Sequence, residues 1–211
     1  KITMINLELN SSTDLKREGK SFYWASFFLP KSFKKNAGTL YSICRYFDDI
    51  ADKYSEDQTI YLKNSIEEIR TNKNNKVNIF LQKNEINNLI FIDLIEGLIL
   101  DQKKIRIQNK EELIKYSYHV AGTVGLMMSK IIGVKHDKAA QSAIDLGIGM
   151  QLTNIARDVY EDSKMKRIYL PANWIPDISL KNLTDLHNKS SEKDERISNA
   201  IHEVIALSDK F

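Results

Sequence analysis

The stretch Gln151-Leu152-Thr153-Asn154-Ile155-Ala156-Arg157-Asp158-Val159-Tyr160-Glu161-Asp162 carries two spacings at once. At about 100° per residue, Gln151, Asn154, Asp158 and Asp162 fall within about an 80° arc of a helix. Ile144, Ile148, Leu152, Ile155 and Val159 form an apolar stripe on the neighbouring arc. The segment therefore reads as a helix whose oxygen-bearing face borders a core. Like charges four residues apart repel by a few tenths of a kcal/mol, about 0.2–0.5, unless a cation lies between them. That cost asks for a function.

A second segment, Tyr41-Ser42-Ile43-Cys44-Arg45-Tyr46-Phe47-Asp48-Asp49-Ile50-Ala51-Asp52, repeats the arrangement. Tyr41, Arg45, Asp48 and Asp52 share an arc of about 60°, with Leu40, Cys44, Phe47 and Ala51 on the apolar arc beside it. A lone acidic i,i+4 pair is most simply a solvated, salt-bridged face; the duplication is what carries the signal. Two core-bordering faces of hard oxygen ligands can confront each other across a cavity, and such ligands suit Mg²⁺ shared with substrate phosphates. The residues by themselves thus point to a Mg²⁺-diphosphate site. An EF-hand over Asp48 to Glu56 is excluded, because the loop glycine is missing and the segment reads as continuous helix.

Outward from these segments, apolar residues recur at helical spacing almost everywhere, and no run alternates as a strand would. Glycine (8) and proline (3) are scarce in 211 residues, so long elements are expected. The fold class is all-α, in one domain over residues 1–211. Helices are expected from the Ser11–Asp14 cluster to just before Pro30, then at Phe33–Tyr54, Gln58–Thr71, Glu85–Lys103, Lys110–Gly133, Asp137–Asp162, Leu180–Asn188 and Glu192–Asp209. Asn72–Asn78 and Ser163–Pro176 read as loops. The charged stretch Lys189–Arg196 reads as a solvated turn and helix start.

Net charge is only +3, which argues against a nucleic-acid partner held by bulk charge. The single cysteine, Cys44, excludes a disulfide scaffold or a thiolate zinc site and fits a reducing, cytoplasmic compartment. His119, His136, His187 and His202 show no ligand-like pairing. No run is apolar enough to span a bilayer, and the mild basicity permits peripheral contact with an anionic membrane. Oligomeric state is not readable.

Five motifs, in order, resemble the squalene/phytoene synthase family of head-to-head prenyl transferases. They are Lys20-Ser21-Phe22 followed by Leu29-Pro30, Tyr41 to Asp52, Tyr116 to Gly125, Gln151 to Asp162, and Arg167-Ile168-Tyr169-Leu170-Pro171. The wording from Leu146 to Asp158 and the Arg167–Pro171 run is most similar to bacterial phytoene synthases. The resemblance spans roughly residues 15 to 175. It implies an isoprenoid synthase fold, a helical bundle around a central cavity. Family members continue through further helices beyond the position of Phe211, so a fold lacking its C-terminal helices is expected.

The implied reaction joins two prenyl diphosphates through a cyclopropyl diphosphate, foremost two geranylgeranyl diphosphates to phytoene. Squalene or dehydrosqualene formation from farnesyl diphosphate is the alternative, with NADPH needed only for reductive squalene synthesis. A catalytically silent assembly or binding protein is the alternative of another class. By the resemblance, Asp48, Asp52, Asp158 and Asp162 hold Mg²⁺ against the diphosphates, with Gln151 and Asn154 adding oxygen contacts. Arg45 and Ser21 hold diphosphate oxygens, and Tyr41 and Arg157 join the substrate set, although Arg157 projects about 100° from the carboxylate arc. Tyr116 lies near the reacting carbons and Phe22 forms apolar wall. Gly19 stands where relatives often carry a small hydroxyl residue.

The chemistry asks for such a set. Ionisation of an allylic diphosphate builds negative charge on the leaving group, and the carbocation left behind needs dry, aromatic walls. Phe22, Tyr41, Phe47 and Tyr116 are the wall candidates, with core packing an equal claim on Phe22 and Phe47. Gly122 and Gly125, inside an expected helix, call for a close helix approach or a local break beside substrate.

Overall fold

Asparagine and serine side chains set several helix starts. Ser55 accepts from the Gln58 N–H at 3.3 Å, Asn75 from Asn78 at 2.7 Å, Asn87 from Leu89 at 3.0 Å and Asn109 from Glu112 at 2.9 Å, each satisfying an amide that the helix leaves unpaired. A computed structural model describes residues 30–53, 55–102, 106–184 and 192–211. The elements are α1 (Lys31–Asp52), α2 (Glu56–Thr71), α3 (Lys76–Lys83), α4 (Asn88–Asp101), α5 (Lys110–Ser117), a π-helical turn (Tyr118–Gly122), α6 (Thr123–Ile131), α7 (Asp137–Arg157), α8 (Val159–Lys164), α9 (Leu180–Thr184) and α10 (Glu192–Ser208). The only extended pairing among the described residues is an isolated parallel bridge between Arg106 and Ile168. The all-α expectation holds there; the helix expected before Pro30 lies outside the described residues.

Three expectations need correction. Asn72–Asn78 is not simply a loop, because α3 starts at Lys76. Its asparagines look inward: the Asn75 amide donates to the Glu68 and Asn72 carbonyls, and the Asn78 amide to those of Ile69 and Asn72. A polar run here satisfies a buried helix end and not a solvated one. The helix expected over Lys110–Gly133 is interrupted by the π turn. The helix expected over Asp137–Asp162 breaks at Asp158, whose φ of −101° and ψ of 17° leave the helical region. The bond from Asp158 N–H to the Asn154 carbonyl, 2.9 Å, and that from Asp162 to Asp158, 2.8 Å, keep the two pieces in line.

Two apolar clusters result. One joins α1, α2, α3, α4 and α6 around Leu40, Phe47, Leu62, Phe91, Ile95 and Met127. The other joins α5, α7, α8, α9 and α10 with the segment from Ile168 to Ile178, around Leu113, Leu152, Ile155, Leu170, Ile175 and Val204. Both apolar arcs read beside the acidic motifs are therefore core, and they belong to different clusters.

Glycines fasten α6 and the π turn to α7. A Cβ on Gly147 would lie 2.5 Å from the Ala121 carbonyl oxygen, and one on Gly125 would collide with the Ala143 carbonyl oxygen. Close helix approach therefore explains Gly125, while Gly122 closes the π turn and faces Ile144 and Ile148 of α7.

Candidate active site at the seam of the two cores

The last turn of α1 carries Asp48, Asp49 and Asp52. Arg45, one turn earlier, donates to Asp48 at 2.8 Å and pairs with Asp49 at 2.8 Å, placing a cation beside one member of the i,i+4 pair. On the opposite side, Asp158 sits at the α7–α8 break and Asp162 in α8. Arg157 grips Asp158 with two bonds of 2.6 Å. Arg157 is 68% exposed, so its value here is to fix a carboxylate at the break.

The two motifs are brought together by the residues that follow α8. Lys166 adopts φ 63°, the left-handed region that favours glycine, and the chain closes on itself with Arg167 N–H donating to the Asp162 carbonyl and Lys166 N–H to that of Ser163. This reversal swings the Arg167 guanidinium to Asp52, 3.2 Å away, with the arginine side chain only 15% exposed. Asp101, the last residue of α4, lies beside them. Its carboxylate accepts both Tyr116 (2.9 and 2.8 Å) and Tyr169 (2.7 Å), whose rings stack with centroids 4.9 Å apart.

The electrostatics record the meeting. Asp48 is pushed up to about 6, mainly by burial and then by Asp52, with Arg45 opposing. Asp162 is pushed up to about 7, again by burial first and then by Asp158, with Arg167 opposing. Asp101 raises both. Carboxylates crowded in this way take up a proton at a higher pH than free ones, and a cation among them would relieve the repulsion.

A stability prediction follows. Between about pH 4 and 7 the metal-free folded chain keeps a proton on Asp162 that the unfolded chain has released. Stability from this group therefore falls as pH rises, and the penalty is complete above pH 7. Discounted for partial exposure it amounts to roughly 1 kcal/mol. Asp162→Asn should raise the melting temperature in chelator at pH 7.5 by about 2–4 °C, with the gain vanishing near pH 4. Thermal melts across pH check this, and a variant melting at or below wild type at pH 7.5 contradicts it.

The remaining expected residues divide. Gln151, Asn154 and Tyr41 are half-buried, and Gln151 and Asn154 have no side-chain hydrogen bond among the described residues. Tyr116 is buried in the cluster, at 6% exposure. Phe47 is fully buried at 0% and packs edge-on against Phe91, so it is core and not cavity wall. Ser21 and Phe22 lie outside the described residues. Sequence reading assigned no role to Asp101, Arg167 or Tyr169. Asp101 had one available signal: an acid in the last turn of an apolar helix, where the macrodipole disfavours it.

Among the described residues no three carboxylate, imidazole or thiol groups converge on one point as a ready-made metal cage. The donor set instead fits an ion held by one or two carboxylates, with its other positions left for water and phosphate oxygens.

The squalene/phytoene synthase family model matches residues 15–211. The chain belongs to the squalene/phytoene synthase family. Its relatives within that family include the 15-cis-phytoene synthase of Enterobacter agglomerans, 32% identical over 82% of this chain and 65% of that protein, and that of a Paracoccus species, 30% identical over 82% and 62%. The chain thus spans just under two thirds of the length of these curated relatives. Among solved structures, a dehydrosqualene synthase in complex with ligand superposes with a TM-score of 0.75 at 26% identity, covering 95% of this chain and 72% of that one. The squalene synthase HpnC from Alicyclobacillus acidocaldarius gives 0.78 at 20% identity, covering 95% and 81%. The fold is the isoprenoid synthase fold of this family. Among the described residues no helix is long and apolar enough to cross a membrane.

Proposed function

We propose that the chain performs the family's head-to-head condensation, converting two geranylgeranyl diphosphates to phytoene through a cyclopropyl diphosphate. The observation that carries this reading is the meeting of two acidic motifs, from different cores, across Arg167 and Asp101. The likeness to proteins named 15-cis-phytoene synthase supports the choice of product. Farnesyl diphosphate as substrate is the second reading, favoured by the likeness to a dehydrosqualene synthase structure. NADPH enters only if that reaction is the reductive one.

Asp48, Asp52, Asp158 and Asp162, with Asn154, would hold Mg²⁺, which when bound supplies positive charge to the departing diphosphate. Gln151 offers a further oxygen to the same face, and Tyr41 lies one turn before Arg45 on α1. Arg45 and Arg157 hold Asp48 and Asp158 in place and bring cationic charge beside the leaving group. Tyr116 offers an aromatic surface to the carbocation. The two clusters keep water from the backs of both acidic helices. Retention of all four outer aspartates weighs against a silent binding protein.

Incubation with each diphosphate, with and without Mg²⁺ and NADPH, followed by identification of the hydrocarbon, tests the reading. Phytoene from geranylgeranyl diphosphate, dependent on Mg²⁺ and indifferent to NADPH, is expected. A coupled product from farnesyl diphosphate alone selects the second reading. The absence of any carbon–carbon coupled product contradicts both.

A further inference from the structure

We infer that Asp101 is a positioning residue for the condensation, acting through Tyr116 and Tyr169. The inference rests on the proposed reaction and assigns a role to a residue outside both acidic motifs.

The geometry is a three-way junction. Asp101 ends α4, which belongs to the first core, whereas Tyr116 from α5 and Tyr169 from the segment after α8 belong to the second. Two phenols stacked at 4.9 Å converge on one carboxylate, so their hydroxyl protons are committed to Asp101 and their orientations are coupled. The π turn starting at Tyr118 follows directly on the helix that bears Tyr116, and His119 within it anchors to the Asp93 carbonyl of α4 at 2.9 Å. The seam is therefore tied at Asp93 and again two turns later at Asp101. A carboxylate at a helix C-terminus sits against the macrodipole, so packing alone gives no reason for an acid here.

The chemical consequence concerns the cation. A phenol that donates to a carboxylate is more electron-rich than one that donates to water, because charge-assisted hydrogen bonds polarise the donor. Tyr116 so held turns no O–H toward an adjacent carbocation and offers it oxygen lone pairs and a more negative ring face. Asp101 keeps the phenol in that state without touching substrate. Arg167 lies within electrostatic reach of Asp101 and bonds Asp52, which links the phenol pair to the diphosphate end of the site.

The test uses the whole chain, with Asp101→Asn, Tyr116→Phe and the double variant, each checked by thermal melting. The amide of Asp101→Asn retains one acceptor oxygen but loses the charge. Turnover is expected to fall about 100-fold, with KM and the affinity for Mg²⁺ with inorganic diphosphate changed less than about 3-fold. Tyr116→Phe should lose a similar amount, and the double variant should lose no more than the worse single variant. Asp101→Glu, which keeps the charge but moves it, should recover part of the loss. A merely structural Asp101 would lower the melting temperature and cut apparent kcat only in proportion to the folded fraction, with KM unchanged, so that turnover per folded chain returns to within about 3-fold of wild type; that result overturns the inference, as do losses that multiply in the double variant. An active wild type with an indifferent Asp101→Asn sinks this inference alone. A wild type that forms no coupled product sinks the proposed reaction and this inference with it.

Discussion

Asp48→Asn and Asp158→Asn should each lower turnover by at least about 100-fold while leaving the helices folded. Each removes one negative charge from a site proposed to concentrate divalent cations against a leaving diphosphate, and losing one such electrostatic contact costs about 2.7–4 kcal/mol at the transition state. Neither substitution changes the apolar arcs themselves, since Leu40, Phe47 and Ala51 lie on the arc beside the acidic one on α1 and Leu152, Ile155 and Val159 on that of α7 and α8. If both motifs serve one metal site, as proposed, the double variant should lose less than the product of the single losses. Steady-state assays with circular dichroism as a folding control check this. Turnover within about 3-fold of wild type for either single variant contradicts the site.

Phe47→Ala should have the largest effect on stability. Phe47 is completely buried beside Asp48, edge-on to Phe91 at 5.4 Å and to Tyr46 at 5.3 Å. Truncation removes its buried surface and leaves a cavity in the first core, at a cost of about 3–5 kcal/mol. Denaturant melts measure it. A loss below about 1 kcal/mol would mean that the ring is not core, and the sequence-level alternative of a cavity wall would return. Because Asp48 follows Phe47 directly, a loosened core here should also weaken Mg²⁺-dependent activity in proportion to the folded fraction.

The acidic motifs were legible because helical period alone placed each beside an apolar arc, and both arcs are core. What period could not show is where helices depart from it. The break at Asp158, the π turn at Tyr118–Gly122 and the left-handed Lys166 are single-residue or single-turn events that composition does not announce. Those departures place further residues at the candidate site. Arg167 reaches Asp52 only because the chain reverses at Lys166, and 115 residues separate the pair in sequence. Asp101 was hidden for a similar reason: its partners Tyr116 and Tyr169 come from elements on the other core. The asparagines around the start of α3 misled in the opposite direction, because a polar run was read as a loop when it starts a helix and its amides close a buried helix end. Arg157, kept in the substrate set although its projection lies off the carboxylate arc, reaches Asp158, its neighbour in the chain, at the point where the helix breaks.

Calorimetric titration of inorganic diphosphate into the wild-type chain, with and without Mg²⁺, repeated on Asp48→Asn and Asp158→Asn, tests most directly whether the two acidic motifs act as one site. Binding that requires Mg²⁺ and is weakened at least about 10-fold by a substitution in either motif is the predicted result. Metal-independent binding, or binding that survives loss of one motif unchanged, would contradict the account.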